Sequence, residues 1–228
     1  MKKEVWVISL GGSRIVPGEK IDYKFLRDFK KLVDRHKSKK FVVITGGGAV
    51  AREYILGLRE LHKSEKKQSL LGISVTRLNA FLMTEIFGKE ANEILPKDMK
   101  DVKNMLKKNQ VVFCGALRYR EKNTSDGTAA SLAAFLHASF INLTNVPGLF
   151  DKNPKTHKSA KLIKGISWKG FNDMARKIKF KAGQHFALDQ NAAITIMKEK
   201  IPTFIVGSVE DIENIITNKK YAGSLIYG

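Results

Sequence analysis

Apolar residues run almost without interruption through positions 5–10, 41–45, 111–113, 140–144 and 203–206, and between these runs they recur at helical spacing. A strand that is apolar on both faces lies in a sheet covered on both sides, so the runs predict strands of a mostly parallel sheet. Residues 23–33 place Phe25, Leu26, Phe29, Leu32 and Val33 on one side of a helix, and residues 50–61 do the same with Ile55, Leu58 and Leu61. Further helices are predicted over 75–87, 99–106, 127–136, 186–197 and 209–215. Strands alternating with helices predict an α/β fold, a central parallel sheet between helical layers. No Pro/Ser-rich linker and no fixed-period repeat divides the chain, and residues 1–228 are expected to form one domain.

Two glycine turns stand where a predicted strand gives way to a helix: Gly11-Gly12-Ser13 after the first run and Gly46-Gly47-Gly48 after the second. Glycine admits positive φ and lets a ligand approach the main chain, while the first amides of the following helix point into the turn. Free N–H donors and partial positive charge there favour phosphate. Two such turns on one sheet edge are expected to hold two phosphorylated ligands facing each other, the arrangement that phosphoryl transfer requires. Ligands gather beyond the carboxyl ends of parallel strands, which brings Gly115 and residues 144–148 to the same edge. Asn123-Thr124-Ser125-Asp126-Gly127 precedes an Ala-rich segment and fits equally a plain helix N-cap and a further phosphate site. Neither glycine turn has the Lys-Ser/Thr ending of a P-loop or the dinucleotide fingerprint.

Composition narrows the partners. Lys and Arg number 41 against 22 acidic residues, a formal charge of +19 that attracts anions generally. The lysines are spread along the chain, with no RNP-like aromatic motif, zinc-finger spacing or recognition helix, so nucleic acid is not expected as the primary partner. The single Cys114 adjoins an apolar run and reads as a small buried hydrophobe, in keeping with a reducing compartment. The apolar stretch at the N-terminus is too brief for a signal-peptide core, and no run is expected to reach membrane-spanning length; a cytoplasmic protein without a membrane partner is expected. The five histidines have no ligand spacing with one another or with Cys114, and no protein-held metal is expected. Trp6 and Trp168 read as packing residues.

Several motifs occur in order over nearly the whole chain: Leu10-Gly11-Gly12-Ser13, Thr45-Gly46-Gly47-Gly48-Ala49-Val50-Ala51-Arg52-Glu53-Tyr54, Gly72-Ile73-Ser74-Val75-Thr76-Arg77-Leu78-Asn79-Ala80, and Thr144-Asn145-Val146-Pro147-Gly148-Leu149-Phe150. Ala182-Gly183, Asp189 and Ala192-Ala193 complete the set. Together they resemble the amino acid kinase superfamily and, within it, the archaeal type of uridylate (UMP) kinase. The resemblance implies a three-layer α/β/α sandwich that transfers the γ-phosphoryl of ATP to UMP with Mg²⁺, usually as a homohexamer, with the acceptor on the N-terminal half and ATP on the C-terminal half. It implies that Gly12, Ser13, Gly48 and Arg52 contact the ATP phosphates and that Gly47 approaches UMP. Thr144, Asn145, Phe150 and Asn153 would sit at the ATP nucleoside, and Thr124, Ser125 and Asp126 beside UMP. Arg52 and Asp126 are the candidate catalytic residues. A guanidinium offers phosphate a planar fork, and a phosphate acceptor is already ionised, so Asp126 is expected to orient the loop or a metal and not to abstract a proton.

The chain departs from that pattern at informative places. Ser9 stands where many superfamily members carry a strand-one lysine, and Ser69 stands where UMP kinases have an acidic residue for the ribose hydroxyls. Asn153 and Pro147 replace aspartates, and Ile194 replaces a frequent lysine. Residues 115–123 form a longer, more basic segment than the usual acceptor loop. Arg118, Arg120 and Lys122 alternate there, which in an extended loop points them to one side; two readings stay open, substitutes for the charge missing at Ser9 and plain surface charges. Two alternatives stay open: a kinase of the same fold for another small phosphate or carboxylate, and a nucleotide-binding or regulatory protein without catalysis.

Overall fold

The computed structural model describes residues 4–18, 20–119, 124–154, 156–177 and 188–228. Its main sheet contains β1 (Val5–Leu10), β2 (Lys40–Thr45), β3 (Val111–Cys114), β4 (Ser139–Leu143), β7 (Gly165–Ser167), β8 (Thr203–Val206) and β9 (Ser224–Tyr227), in the order β3-β2-β1-β4-β8-β9-β7. All neighbouring pairs are parallel except β8 with β9. A separate two-stranded hairpin is formed by β5 (Leu149–Phe150) and β6 (Leu162–Ile163). The helices are α1 (Gly12–Ile15), α2 (Tyr23–Arg35), α3 (Gly48–Glu60), α4 (Glu65–Phe87), α5 (Met99–Lys108), α6 (Ser125–Leu136), α7 (Trp168–Arg176), α8 (Gln190–Lys198) and α9 (Val209–Ile216).

Alternation along β1 divides the core in two. Ile8 and Leu10 face Phe25, Phe29 and Leu32 of α2, Met83 and Phe87 of α4 and Ile212 of α9. Val7, on the other face, joins Ala129, Leu132 and Ala133 of α6, Phe171 of α7 and Ile196 of α8. The result is the expected three-layer α/β/α arrangement, each strand apolar on both sides because each side is covered. Ser9 follows Val7 by two residues and so points toward the α6 layer.

All five expected strands form, with small shifts at their ends. β4 stops at Leu143, so Thr144 falls outside it, although the Thr144 amide still donates to Val206 O at 3.0 Å. The strands β5, β6, β7 and β9 have two to four residues each and carry no apolar run long enough to mark them. Helix α7, also unforeseen, opens where the Ser167 side chain accepts the Gly170 amide. Helix α4 was expected from residue 75 and begins at Glu65, because the Ser64 side chain caps it over a polar first turn that has no apolar periodicity. Helix α8 starts at Gln190 and not at 186, since Asp189 caps it; residues 186–187 lie outside the described residues.

The expectation that no run reaches membrane-spanning length is corrected by α4: Glu65–Glu90 includes an 18-residue window of mean hydropathy 1.3. The composition follows from packing. The helix buries Val75, Ala80, Met83 and Phe87, and a long core helix covering a sheet is apolar over much of its surface.

Candidate active site

Strand order places the site. The chain runs from β1 outward to β2 and β3 on one side, and from β4 to β8 on the other, so the order reverses between β1 and β4. Connections leaving the carboxyl ends of these two strands diverge, and the crevice between them is where open α/β sheets bind ligands. Gly11 donates its amide to Leu143 O at 3.2 Å, tying the first glycine turn to the end of β4. Gly46 donates to Leu10 O at 2.8 Å, which brings the second turn beside the first.

The two turns were expected to open as separate cradles; they are in main-chain contact. A Cβ on Gly12 would stand 2.3 Å from Gly48 N and 2.5 Å from Gly46 O, and one on Gly46 would stand 2.8 Å from Gly12 N. Gly48 adopts φ +64°, a left-handed conformation that favours glycine. The main chain of both turns therefore forms one continuous surface of amides at the starts of α1 and α3. Ser13 is half-buried in α1, which is only one turn long. Arg52 is exposed on α3, one turn beyond Gly48, and has no hydrogen bond or ion pair among the described residues.

Helix α4 braces this surface. Asn79 is buried and donates Nδ2 to Gly46 O at 2.8 Å, while Thr45 Oγ1 donates to Thr76 O at 2.7 Å. Thr76 Oγ1 accepts the Ala116 amide at 3.0 Å, so the same helix holds the start of the 115–123 segment. A Cβ on Gly115 would lie 2.5 Å from Thr76 Oγ1, which explains glycine there. Thr76 and Asn79 are three residues apart and therefore share a helix face.

The third part of the site is the N-terminus of α6, built around two carboxylates. Asp189 is 2% exposed and accepts four hydrogen bonds: from Thr124 N (3.2 Å), Thr124 Oγ1, Gly127 N (3.2 Å) and Ala192 N (2.7 Å). It caps α8 and clamps α6 at once. Thr124, whose hydroxyl proton goes to Asp189, accepts the Asp126 amide at 3.1 Å, fixing the first turn of α6. Asp126 is half-buried, and its Oδ1 accepts from Ser9 Oγ at 2.6 Å. Burial pushes the Asp126 carboxyl up to about 7, and the nearby charge of Asp189 acts in the same direction; the Ser9 hydrogen bond opposes both. Among the described residues no group of three or more His, Cys, Asp and Glu could hold a metal ion.

The structure thus brings Gly12, Ser13, Gly47, Gly48, Thr124, Ser125 and Asp126 to the carboxyl edge of β1 and the helices that start there. Thr144 joins them at the end of β4. Asn145 is exposed, Phe150 lies half-buried in β5, and the Asn153 carbonyl accepts the His157 amide in the loop between β5 and β6. The hairpin is held from the far side, where Leu149 N donates to Ser224 Oγ at 2.8 Å. Ser69 is half-buried on α4, and no hydrogen bond joins it to the glycine turns. Arg118 is exposed and pairs with Asp98 at 3.3 Å, the N-cap of α5, so it does not substitute for the charge missing at Ser9. Arg120, Lys122 and Asn123 lie outside the described residues, as do Ala182 and Gly183. Cys114 is fully buried and its thiol is pushed up to about 12 by burial, as a packing residue requires. The Ser9–Asp126 pair and the Asp189 clamp link positions 117 and 65 apart in sequence, and no local pattern announces them.

A parallel α/β sheet whose switch point carries main-chain anion cradles and a capped helix N-terminus defines a phosphate-handling α/β protein. The chain belongs to the amino acid kinase family, whose model matches residues 4–207. A uridylate kinase of Archaeoglobus fulgidus is 36% identical over 211 residues, which is 90% of this chain and 92% of that one. The uridylate kinase of Methanococcus aeolicus is 31% identical over 226 residues, 96% of this chain and 98% of its own. The crystal structure of the uridylate kinase from Archaeoglobus fulgidus matches with a TM-score of 0.84 at 32% identity, covering 97% of this chain and 99% of that one.

Proposed function

We propose that this chain is an ATP-dependent nucleoside monophosphate kinase that converts UMP to UDP. The observation that carries the reading is the interlocked pair of glycine turns beside the α6 N-terminus, placed at the β1/β4 switch point of a chain 36% identical to a uridylate kinase. Phosphoryl transfer asks little covalent chemistry of a protein; holding two anions in line and stabilising the charge between them supplies most of the acceleration. Amides of Gly12, Ser13 and Gly48 bind the ATP phosphates, with the Arg52 guanidinium reaching in from α3. Thr144, Asn145, Phe150 and Asn153 receive the ATP nucleoside. UMP lies against Gly47, Ser69, Thr124, Ser125 and Asp126, its phosphate at the α6 N-terminus. Mg²⁺ enters bound to ATP as part of the substrate.

The protein acts as a single domain in the cytoplasm and self-associates. Tyr54 is exposed on α3 and Leu61 at its C-terminal cap, and exposed Leu70, Leu78 and Phe81 share one face of α4, offering apolar surface for a second copy. Light scattering coupled to gel filtration tests this: a monomer at micromolar concentration rejects it.

The activity is tested by ADP release with a panel of nucleoside monophosphates and small carboxylates. Turnover with UMP above all others is expected. Preference for a different acceptor would assign the chain to another kinase of this fold, and thermal stabilisation by ATP without any turnover would make it a nucleotide-binding protein.

A further inference from the structure

The Ser9–Asp126–Asp189 cluster sets two carboxyl groups at the heart of the site, with no cation between them among the described residues. Asp189 receives four donors, a set that suits an ionised carboxylate, which only accepts. Asp126 receives one side-chain donor, the uncharged Ser9 hydroxyl on Oδ1, and its Oδ2 has no hydrogen-bond partner among the described residues. Among the described residues the groups facing Asp126 are few. Helix α8 presents Asp189, β1 presents Ser9, and the neighbouring strands present Ile44 and the neutral Asn142. From α5, Lys103 lies over the Phe135 ring at the opposite end of α6. Helix α6 has no other charged residue, and Arg118 is turned to Asp98. A second unpaired negative charge beside Asp189, where a phosphate is also to bind, would oppose binding.

We propose that Asp126 serves this site as a neutral carboxylic acid, its Oδ1 held by the Ser9 hydroxyl and its Oδ2–H donated to an anionic phosphate oxygen at the α6 N-terminus. The proposal rests on the phosphotransferase reading above. Ser9 is a positioning residue in this arrangement: it contributes a hydrogen bond without a charge, so the cluster reaches neutrality by holding a proton. During transfer the bond from the γ-phosphorus to the bridging oxygen breaks, its electron pair leaves with ADP, and an oxygen of the acceptor phosphate forms the new bond. Asp126 keeps its proton throughout and acts only as a donor to the charged oxygens. The elevated affinity of the free carboxyl for its proton, with a midpoint near 7, agrees with the geometry, and bound phosphates raise it further.

The experiment has two readouts. In the ligand-free protein labelled with ¹³C-carboxyl aspartate, the resonance lost in Asp126→Asn is expected to titrate near pH 7; a midpoint in the ordinary carboxylate range near 4 overturns the proposal. In kinetics, wild-type kcat/KM for UMP is expected to fall about tenfold per pH unit on the alkaline side. Asp126→Asn keeps a donor and an acceptor in the same places but has no titrating proton, so its kcat/KM is expected to lose the alkaline fall whatever its absolute level. An alkaline fall that persists unchanged in an Asp126→Asn protein that melts like wild type overturns the proposal, while UMP turnover by the wild type leaves the kinase reading standing. A wild type that turns over no monophosphate overturns the kinase reading instead, and the ¹³C titration still decides whether Asp126 is an acid.

Discussion

Gly12 and Gly48 are in main-chain contact: a Cβ on the first would stand 2.3 Å from the amide nitrogen of the second. Gly12→Ala must therefore force the two turns apart, and a loss of about 1–3 kcal/mol is expected from the overpacking alone. Because the displaced amides are those proposed to bind phosphate, stabilisation by ATP should disappear as well. Gly57→Ala is the control, since nothing lies within 4 Å of a Cβ there in mid-α3. That change should stabilise by about 0.5–1 kcal/mol, and thermal melts with and without ATP compare the two variants.

Asp189 joins two helix starts, so its removal should cost more than an ordinary cap. Asp189→Ala leaves the Thr124 amide and hydroxyl, the Gly127 amide and the Ala192 amide without their acceptor. A loss on the order of 3 kcal/mol in urea unfolding is expected, against about 1 kcal/mol for Thr124→Ala, which removes the α6 cap and one of the four donors to Asp189. Equal losses in the two variants would show that the clamp adds nothing.

The proton on Asp126 also shapes stability. Its carboxyl binds a proton near pH 7 in the folded chain against an ordinary value of 3.8, so between these values the native state holds a proton the unfolded state has released. This stabilising contribution is present below 3.8 and is lost as pH rises toward 7. Asp126→Asn has no such slope and should gain on wild type by up to about 1 kcal/mol per pH unit across that window. Urea midpoints at a series of pH values measure the difference; parallel curves contradict it.

Arg52 is exposed and unpaired among the described residues, so it can be replaced without disturbing the fold. Arg52→Ala should melt within about 1 °C of wild type yet lose about 10- to 100-fold in kcat/KM, with Arg52→Lys restoring part of it. Unchanged kinetics would remove Arg52 from the site.

Much of the framework was legible because strands buried on both faces are apolar at most positions, and helices covering a sheet repeat at 3.6 residues. β1, β2, β3, β4 and β8 satisfied the first rule and α2 the second. The rule has no purchase on β9, which has four residues, or on the first turns of α4, whose start depends on the Ser64 cap. At the site, the glycine turns were visible because glycine marks close approach wherever it falls. That the two turns touch was not: the sequence places both on one sheet edge, and only the structure sets Gly12 against Gly48. The alternation of Arg118 with Arg120 was likewise legible, but its direction depended on Asp98, twenty positions away.

The chain's own order of residues determined the layered α/β class, the apolar runs that become the central strands and the amide-rich turns at their carboxyl ends, because each follows from local conformational preference and periodicity. Only the tertiary structure decided that Ser9 meets Asp126, that Asp189 caps α6 and α8 together and that Asn79 holds Gly46. Those pairings join residues 33 to 117 positions apart, and such contacts are set by how the sheet is ordered and which helix crosses which strand. The charge state of the site belongs to the same level, since a carboxyl group's affinity for its proton depends on what surrounds it.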